Sequence, residues 1–103
     1  MASVSLKESL KAGKAALGPF VNINSGAMLE IAALAGFDFV IIDTEHGPLD
    51  IPAAEDLCRM ADSAGITPIV RVRENDAPQI LRALDIGAAG VQVPQICTKT
   101  DAE

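Results

Sequence analysis

Hydrophobic and polar positions alternate along this chain in two patterns: short apolar runs, and longer segments whose apolar residues are three or four apart. The clearest run, from Phe39 to Ile42, is too short for a typical helix and is rich in β-branched side chains, which predicts a buried strand. Gly36, Gly65 and Gly87 follow the longer segments, at positions where a helix commonly ends. The pattern therefore predicts strands that alternate with helices.

The boundaries of these elements follow from the apolar spacing and from residues that favour helix ends. Strands are predicted over 17–23, 38–42, 67–71 and 89–93, and helices over 4–12, 26–35, from after Asp50 to about 64, and from Asn75 or Asp76 to 85. The predicted helix caps are Ser25, Asp50, Asp76 or Asn75 and, for one more helix, Thr100 or Asp101. The predicted inward-facing residues are Met28, Ile31, Leu34 and Ala35, then Leu57, Met60 and Ala61, then Ile80, Leu81 and Leu84.

Four successive β-α units predict a parallel sheet with right-handed crossovers, and therefore the α/β class. No glycine-rich phosphate-binding motif follows any strand, so a dinucleotide-binding or P-loop fold has no support. A (β/α)8 TIM-type barrel fits the pattern better, but it takes about 250 residues. We expect residues 1–103 to be one domain, the N-terminal half of such a barrel: a fragment, a truncated product, or a piece that pairs with another chain, since four strands alone leave two open edges.

Composition and charge exclude several classes of function. The chain has 8 basic and 14 acidic residues and no basic run, so nucleic-acid binding has no support. No apolar stretch approaches the ~20 residues of a membrane span, and no signal peptide is evident. Cys58 and Cys97 stand apart without metal-binding spacing, which predicts reduced thiols and a cytoplasmic location.

The candidate chemistry lies where the predicted strands end. Asp43, Glu45 and His46, the only histidine, follow the second strand, and Arg71 and Arg73 follow the third. In parallel barrels the carboxyl ends of the strands carry the active site, so these side chains are expected to meet. Asn22, Asn24, Gln92 and Gln95 occupy comparable positions and are weaker candidates.

His46 is the side chain best suited to accept and return a proton near neutral pH. A carboxylate three residues earlier, Asp43, could bond to the imidazole and fix its tautomer. Arg71 supplies a permanent cation for a substrate carboxylate or a developing enolate oxygen. The alternatives are that His46 caps the following segment, that Asp43 and Arg71 form a structural pair, and that Glu45 and Arg73 are surface residues; the residues alone leave these open.

Three sequence blocks resemble the HpcH/HpaI aldolase family. They are A-G-F-D-F-V-I-I-D-T-E-H-G-P at 35–48, P-I-V-R-V-R-E-N-D at 68–76 and L-D-I-G-A-A-G-V-Q-V-P at 84–94. The blocks occur in the family's order and spacing, and the resemblance covers essentially the whole chain. The D-x-E-H block followed by V-R-x-x-x-N-D is the more specific part.

The resemblance implies a class II, metal-dependent (β/α)8 aldolase. Such enzymes cleave 4-hydroxy-2-oxo acids to pyruvate or a related oxoacid and an aldehyde, and they form oligomers. By position, His46 matches the catalytic base, Asp43 the acid that orients it, Arg71 the oxoacid-binding arginine, and Glu45 a group near the metal-bound water. The ligands of the divalent ion, Mg²⁺ or Mn²⁺ by oxygen preference, are expected beyond residue 103, so the isolated chain should be inactive.

Two alternatives belong to other functional classes. The chain could be a non-catalytic assembly module that pairs its open sheet with a second chain, such as the missing half-barrel. It could also be part of a citrate-lyase-like enzyme acting on acyl-CoA. No basic cluster suited to a CoA phosphate is visible in the sequence.

Overall fold

A computed structural model describes residues 6–45, 49–94 and 99–102 of the chain. Its strands are β1 (Phe20–Val21), β2 (Phe39–Asp43), β3 (Thr67–Arg71) and β4 (Gly90–Gln92). Its helices are α1 (Leu6–Lys11), α2 (Gly26–Leu34), α3 (Ile51–Ala64), α4 (Ala77–Asp85) and α5 (Lys99–Ala102). No helix within these ranges is long and apolar enough to cross a membrane.

The four strands form one parallel sheet in the order β1-β2-β3-β4, with helices between successive strands. The β2–β3 pairing is the most extensive, running from Phe39 opposite Thr67 to Asp43 opposite Arg71. The predicted α/β class with alternating strands and helices is confirmed. This register brings the ends of β2 and β3 side by side.

Strand residues alternate between a helix-covered face and an opposite face. Val40, Ile42 and Val70 have no exposed surface and belong to the hydrophobic core that the helices cover. Asp43 and Arg71, odd-numbered on the same strands, therefore lie on the opposite face. Other core residues include Val21, Leu29, Leu49, Leu57, Ala61 and Val72.

The outer strands are shorter than predicted. β1 has only two residues, because Pro19 lacks a backbone N–H and cannot donate to a regular ladder. The preceding segment still bonds to β2: the Asp38 N–H donates to the Leu17 carbonyl at 2.8 Å, and the Ile41 N–H to the Pro19 carbonyl at 2.9 Å. The sheet edge is therefore anchored beyond the regular strand.

Two predicted helix caps are confirmed. Asp50 accepts a hydrogen bond from the Ala53 N–H at 3.0 Å, and Asp76 accepts one from the Gln79 N–H at 3.3 Å. Ser25 occupies the N-cap position of α2, but its side chain makes no capping bond. The prediction that Thr100 or Asp101 caps the last helix is wrong, because α5 begins at Lys99 and includes both.

Asp50→Ala should lower the free energy of unfolding by about 1 kcal/mol, because α3 loses an accepted backbone N–H. Ser25→Ala should cost much less, since no side-chain bond is lost. Urea denaturation of the two variants measures the difference. Equal losses would mean that the Asp50 bond contributes nothing.

The inward face predicted for α2 is wrong. Met28, Ile31 and Leu34 are 43%, 58% and 88% exposed, whereas Leu29 and Ala32 are buried. α2 is apolar on nearly all sides and has a single charged residue, so the spacing of its apolar residues could not identify the face that is buried. Ala35, predicted on the same stripe, is exposed as well.

The inward faces of α3 and α4 were predicted only in part. Leu57 and Ala61 are buried as expected, but Met60 is 38% exposed, lying across the start of α2 at Gly26. In α4 the buried residue is Ala83. The larger predicted side chains remain more accessible because no described element covers them: Ile80 is half-buried, and Leu81 and Leu84 are exposed at 60% and 47%.

Cys58 is a buried free thiol. Its burial, with a smaller effect from Glu55, raises the pKa of Cys58 from 9.0 to about 11. Between these values the unfolded chain ionises this thiol and the folded chain does not, so the free energy of unfolding should fall as the pH rises from 9 to 11. Cys97 lies outside the described residues.

We expect Cys58 to react slowly with iodoacetamide at pH 8 in the folded protein and rapidly in urea, because the thiolate is the reactive form. The measurement requires a Cys97→Ser background. In the Cys58→Ala variant, the free energy of unfolding measured by urea titration should fall less as the pH rises above 9. An unchanged pH dependence would exclude Cys58 as its source.

Candidate active site

The candidate site forms at the carboxyl edge of the two central strands. β2 ends at Asp43, β3 ends at Arg71, and the two residues are register partners. Parallel pairing thus brings together two side chains that are 28 positions apart in sequence. Both lie on the face of the sheet opposite the helix-covered core.

Asp43 and Arg71 form a two-point ion pair. The Arg71 Nε donates to Asp43 Oδ1 at 3.1 Å, and Nη2 donates to Oδ2 at 2.5 Å. The side chains are only 4% and 19% exposed. Paired hydrogen bonds between a guanidinium and a carboxylate are stronger and more directional than single neutral ones, so this pair fixes the orientation of the arginine.

Two further groups hold Arg71. Glu45 Oε1 lies 3.4 Å from its Nε, and the Phe20 ring centroid lies 4.8 Å from its Cζ, within the range of a cation–π contact. The hydrogen bond to Asp43 raises the pKa of Arg71, and the charges of Asp43 and Glu45 act in the same direction against the effect of burial. Arg71 is therefore a permanent and firmly positioned cation.

The turn after β2 is ordered by its own polar groups. The Glu45 N–H donates to Asp43 Oδ1 at 2.9 Å. The buried Thr44 donates to the Arg71 carbonyl from its N–H at 3.1 Å and from its hydroxyl at 2.6 Å. Arg73 Nε donates in turn to the Thr44 carbonyl at 2.8 Å, so the loops after β2 and β3 hold each other.

The structure brings three of the predicted site residues together: Asp43, Glu45 and Arg71. His46 lies outside the described residues, so its predicted contact with Asp43 remains a prediction. Arg73 contacts the Thr44 backbone rather than this cluster. Among the weaker candidates, Gln92 is the register partner of Arg71, Asn22 and Asn24 are exposed, and Gln95 lies outside the described residues.

Sequence reasoning missed two contributors, Phe20 and Thr44. Phe20 is 53% exposed on a strand edge, and its contact with Arg71 depends on strand order, which no local pattern specifies. Thr44 offered a weak signal: it lies between two acidic residues directly after a buried strand. Its hydroxyl donates to the backbone carbonyl of Arg71.

The carboxylates of the described residues do not form a divalent-metal centre. Within residues 6–45, 49–94 and 99–102 there is no group of three or more metal-ligating side chains. Asp43 and Glu45 both contact the Arg71 guanidinium, which competes with a cation for their oxygens.

The Asp43–Arg71 cluster lies at the carboxyl edge of a parallel α/β sheet, where barrel enzymes of this architecture carry their active sites. Residues 16–103 match the family described as HpcH/HpaI aldolase/citrate lyase. The chain belongs to this family.

Curated relatives match over nearly the whole chain. It is 35% identical over 97 residues to a pyruvate aldolase of Rhizobium etli, covering 94% of this chain and 38% of the relative. It is 34% identical over 96 residues to a 4-hydroxy-2-oxo-heptane-1,7-dioate aldolase of Klebsiella pneumoniae, covering 93% and 36%. The chain thus spans a little over a third of the length of these relatives.

Solved structures agree with the fold. The HpcH/HpaI aldolase of Desulfitobacterium hafniense matches with a TM-score of 0.88 and 32% identity, covering 97% of this chain and 39% of that one. Citrate synthase SbnG matches with a TM-score of 0.83 and 41% identity, covering 89% and 38%. The predicted α/β half-barrel is confirmed.

Proposed function

We propose that residues 1–103 are the N-terminal half of a (β/α)8 aldolase. The complete protein would cleave a 4-hydroxy-2-oxo acid to pyruvate or a related oxoacid and an aldehyde. The observation that supports this most is the Asp43–Arg71 pair beside Glu45 at the carboxyl edge of the sheet, in a chain similar to a pyruvate aldolase.

Arg71 is proposed to bind the oxoacid. A substrate of this class carries a carboxylate and develops negative charge on its keto oxygen as the carbon–carbon bond breaks. A guanidinium already held by Asp43 and Phe20 can stabilise that charge without reorganising during the reaction. Its raised pKa keeps it charged throughout the working pH range.

His46 is proposed to accept the proton of the 4-hydroxyl. As that proton leaves, the C3–C4 bond breaks, the aldehyde forms, and the electron pair passes to the enolate of the oxoacid. Protonation at C3 then gives pyruvate. Asp43 is proposed to orient His46; since both Asp43 oxygens already bond to Arg71, one carboxylate would position both the base and the cation.

The aldolases of this family belong to the class that depends on a divalent metal ion. We propose Mg²⁺ or Mn²⁺, which would supply Lewis-acid polarisation of the keto oxygen when bound. Its ligands would come from parts of the complete protein other than the described residues, and Glu45 would lie near its water. We further propose a cytoplasmic homo-oligomer.

A chimera tests this function. Residues 16–103 would replace the corresponding part of the Rhizobium etli pyruvate aldolase, and pyruvate release from 4-hydroxy-2-oxo-heptane-1,7-dioate and related acids would be followed with added Mg²⁺ or Mn²⁺. We expect metal-dependent release of pyruvate. A folded chimera that binds metal but releases none from any of these acids would contradict the proposal.

His46→Ala in this chimera should lower kcat while metal binding persists, because only the proton acceptor is lost. Arg59→Gln is the matched control, since Arg59 pairs only loosely with Glu55 on the outside of α3, at 3.8 Å. Its activity should equal that of the unmodified chimera. Undiminished cleavage by His46→Ala would remove His46 from the mechanism.

The similarity to citrate synthase SbnG favours a second candidate, carbon–carbon bond chemistry on a citrate-type substrate. A fixed arginine suits a tricarboxylate as well as a 2-oxo acid. The same chimera distinguishes them by product: pyruvate supports the aldolase, and turnover confined to citrate or its precursors supports the alternative.

A further inference from the structure

A cavity lies at the same end of the sheet as the candidate active site, but on the helix-covered face. Its volume is about 290 Å³, and it lies between the loop after β3, the start of α3 and one side of α4. Val72, which belongs to the hydrophobic core, forms part of its wall. The cavity is therefore separated by the sheet from the face that carries Asp43 and Arg71.

Two arginines, Arg73 and Arg82, line this cavity. Among the described residues, no carboxylate lies within ion-pair distance of either guanidinium. The other two arginines differ: Arg71 contacts two carboxylates, and Arg59 lies 3.8 Å from Glu55. In a chain with a net charge of −6, two such cations on one cavity are a local excess of positive charge.

Hydrogen bonds position two polar side chains of the lining, Arg73 and Gln79. Arg73 Nε donates to the Thr44 carbonyl at 2.8 Å, which positions its guanidinium. Gln79 Oε1 accepts hydrogen bonds from the backbone N–H groups of Arg73 and Glu74 at 3.1 and 3.3 Å. Since the oxygen of this carboxamide is used, the group left to serve a ligand is its NH₂ donor.

One carboxylate also lines the cavity, that of Asp50. Its Oδ1 accepts the Ala53 N–H and caps α3, so it has a separate structural role. With two arginines against one aspartate, the described part of the lining has a net positive charge. Its polar side chains are mainly hydrogen-bond donors.

We propose that this cavity binds a small oxyanion, the phosphoryl or carboxylate group of a small molecule. Guanidinium groups recognise both through paired, charge-assisted hydrogen bonds. The volume is ample for a group of a few non-hydrogen atoms. The proposal does not rest on the aldolase assignment, because neither Asp43 nor Arg71, the described residues of the proposed catalytic set, is among the described residues that line this cavity.

The test is calorimetric titration of the protein with sodium phosphate and, separately, sodium succinate, at an ionic strength held constant with sodium chloride. We expect saturable binding of at least one of them. Arg73→Gln and Arg82→Gln should each weaken it by about tenfold, the loss of one charge-assisted contact. Arg59→Gln, an exposed arginine outside the cavity, should change it by less than about twofold.

Amide chemical shifts locate the binding, since Gln79 and Thr44 lie in the cavity wall and should shift with the same saturation curve. Binding of phosphate alone would identify a phosphoryl ligand, and binding of succinate alone a carboxylate. Failure of both anions to saturate, or equal weakening by Arg59→Gln, would overturn the proposal. All three arginines are exposed, so these variants should fold normally.

Discussion

Asp43→Ala should lower the free energy of unfolding by about 3–5 kcal/mol, the range for breaking a buried ion pair from one side. Asp43 is 4% exposed and accepts two hydrogen bonds from Arg71 and one from the Glu45 backbone. Removing it leaves the guanidinium poorly compensated in a site that is largely shielded from water. Urea denaturation followed by circular dichroism measures the loss.

A double variant separates two contributions to the free energy of unfolding: the ion pair itself, and the cost of leaving the Arg71 charge without its partner. Asp43→Ala combined with Arg71→Met should recover a substantial part of the stability, because the guanidinium that lost its main partner is then absent as well. Glu55→Ala, which removes the exposed partner of Arg59, should cost at most about 0.5 kcal/mol. If Asp43→Ala cost as little as Glu55→Ala, the Asp43–Arg71 pair could not be a structural anchor.

Arg71→Lys should lower kcat by about 100-fold in the chimeric barrel, the scale of losing one positioned donor to a developing oxyanion. Lysine keeps the charge but lacks the planar fork that bonds Asp43 through Nε and Nη2 together. Its ammonium would not be held at a fixed distance from the substrate. Steady-state kinetics with pyruvate detection measures the change.

The division between kcat and KM separates catalysis from simple substrate binding. A rise in KM with unchanged kcat would mean that Arg71 only holds the substrate. Arg59→Lys provides the control for an arginine remote from the site and should leave both parameters unchanged. Wild-type turnover by Arg71→Lys would show that the fork geometry is dispensable.

Elements with strong local signals could be predicted from the sequence. β3 was placed residue for residue at Thr67–Arg71, and α3 was bounded by Asp50 and Gly65. The signals that predict these elements depend only on neighbouring residues: a short β-branched run, an aspartate cap and a glycine with positive φ. They can therefore be recognised in the sequence alone. Because Asp43 and Arg71 each end a clear strand, their position at one edge followed from parallel pairing.

The remaining features depend on tertiary contacts. The packing face of α2 could not be chosen from spacing, because both faces are apolar and only tertiary packing, mainly against α3, determines that Leu29 and Ala32 are buried. The contact between Phe20 and Arg71 requires that β1 lie beside β2, so that the Phe20 ring reaches past β2 to Arg71 on β3. The pairing of Arg73 and Arg82 on one cavity likewise requires the packing of α4 beside the loop after β3.

The position of the Phe20 ring has a practical consequence for spectroscopy. The chain contains no tryptophan or tyrosine, so it has no intrinsic fluorophore excited near 295 nm. Phe20→Trp would add a single indole at the position of the Phe20 ring, whose centroid lies 4.8 Å from the Arg71 guanidinium carbon, in a contact that tryptophan makes better than phenylalanine. The fluorescence emission of this tryptophan should then change when an anion binds Arg71, and no external dye would be needed.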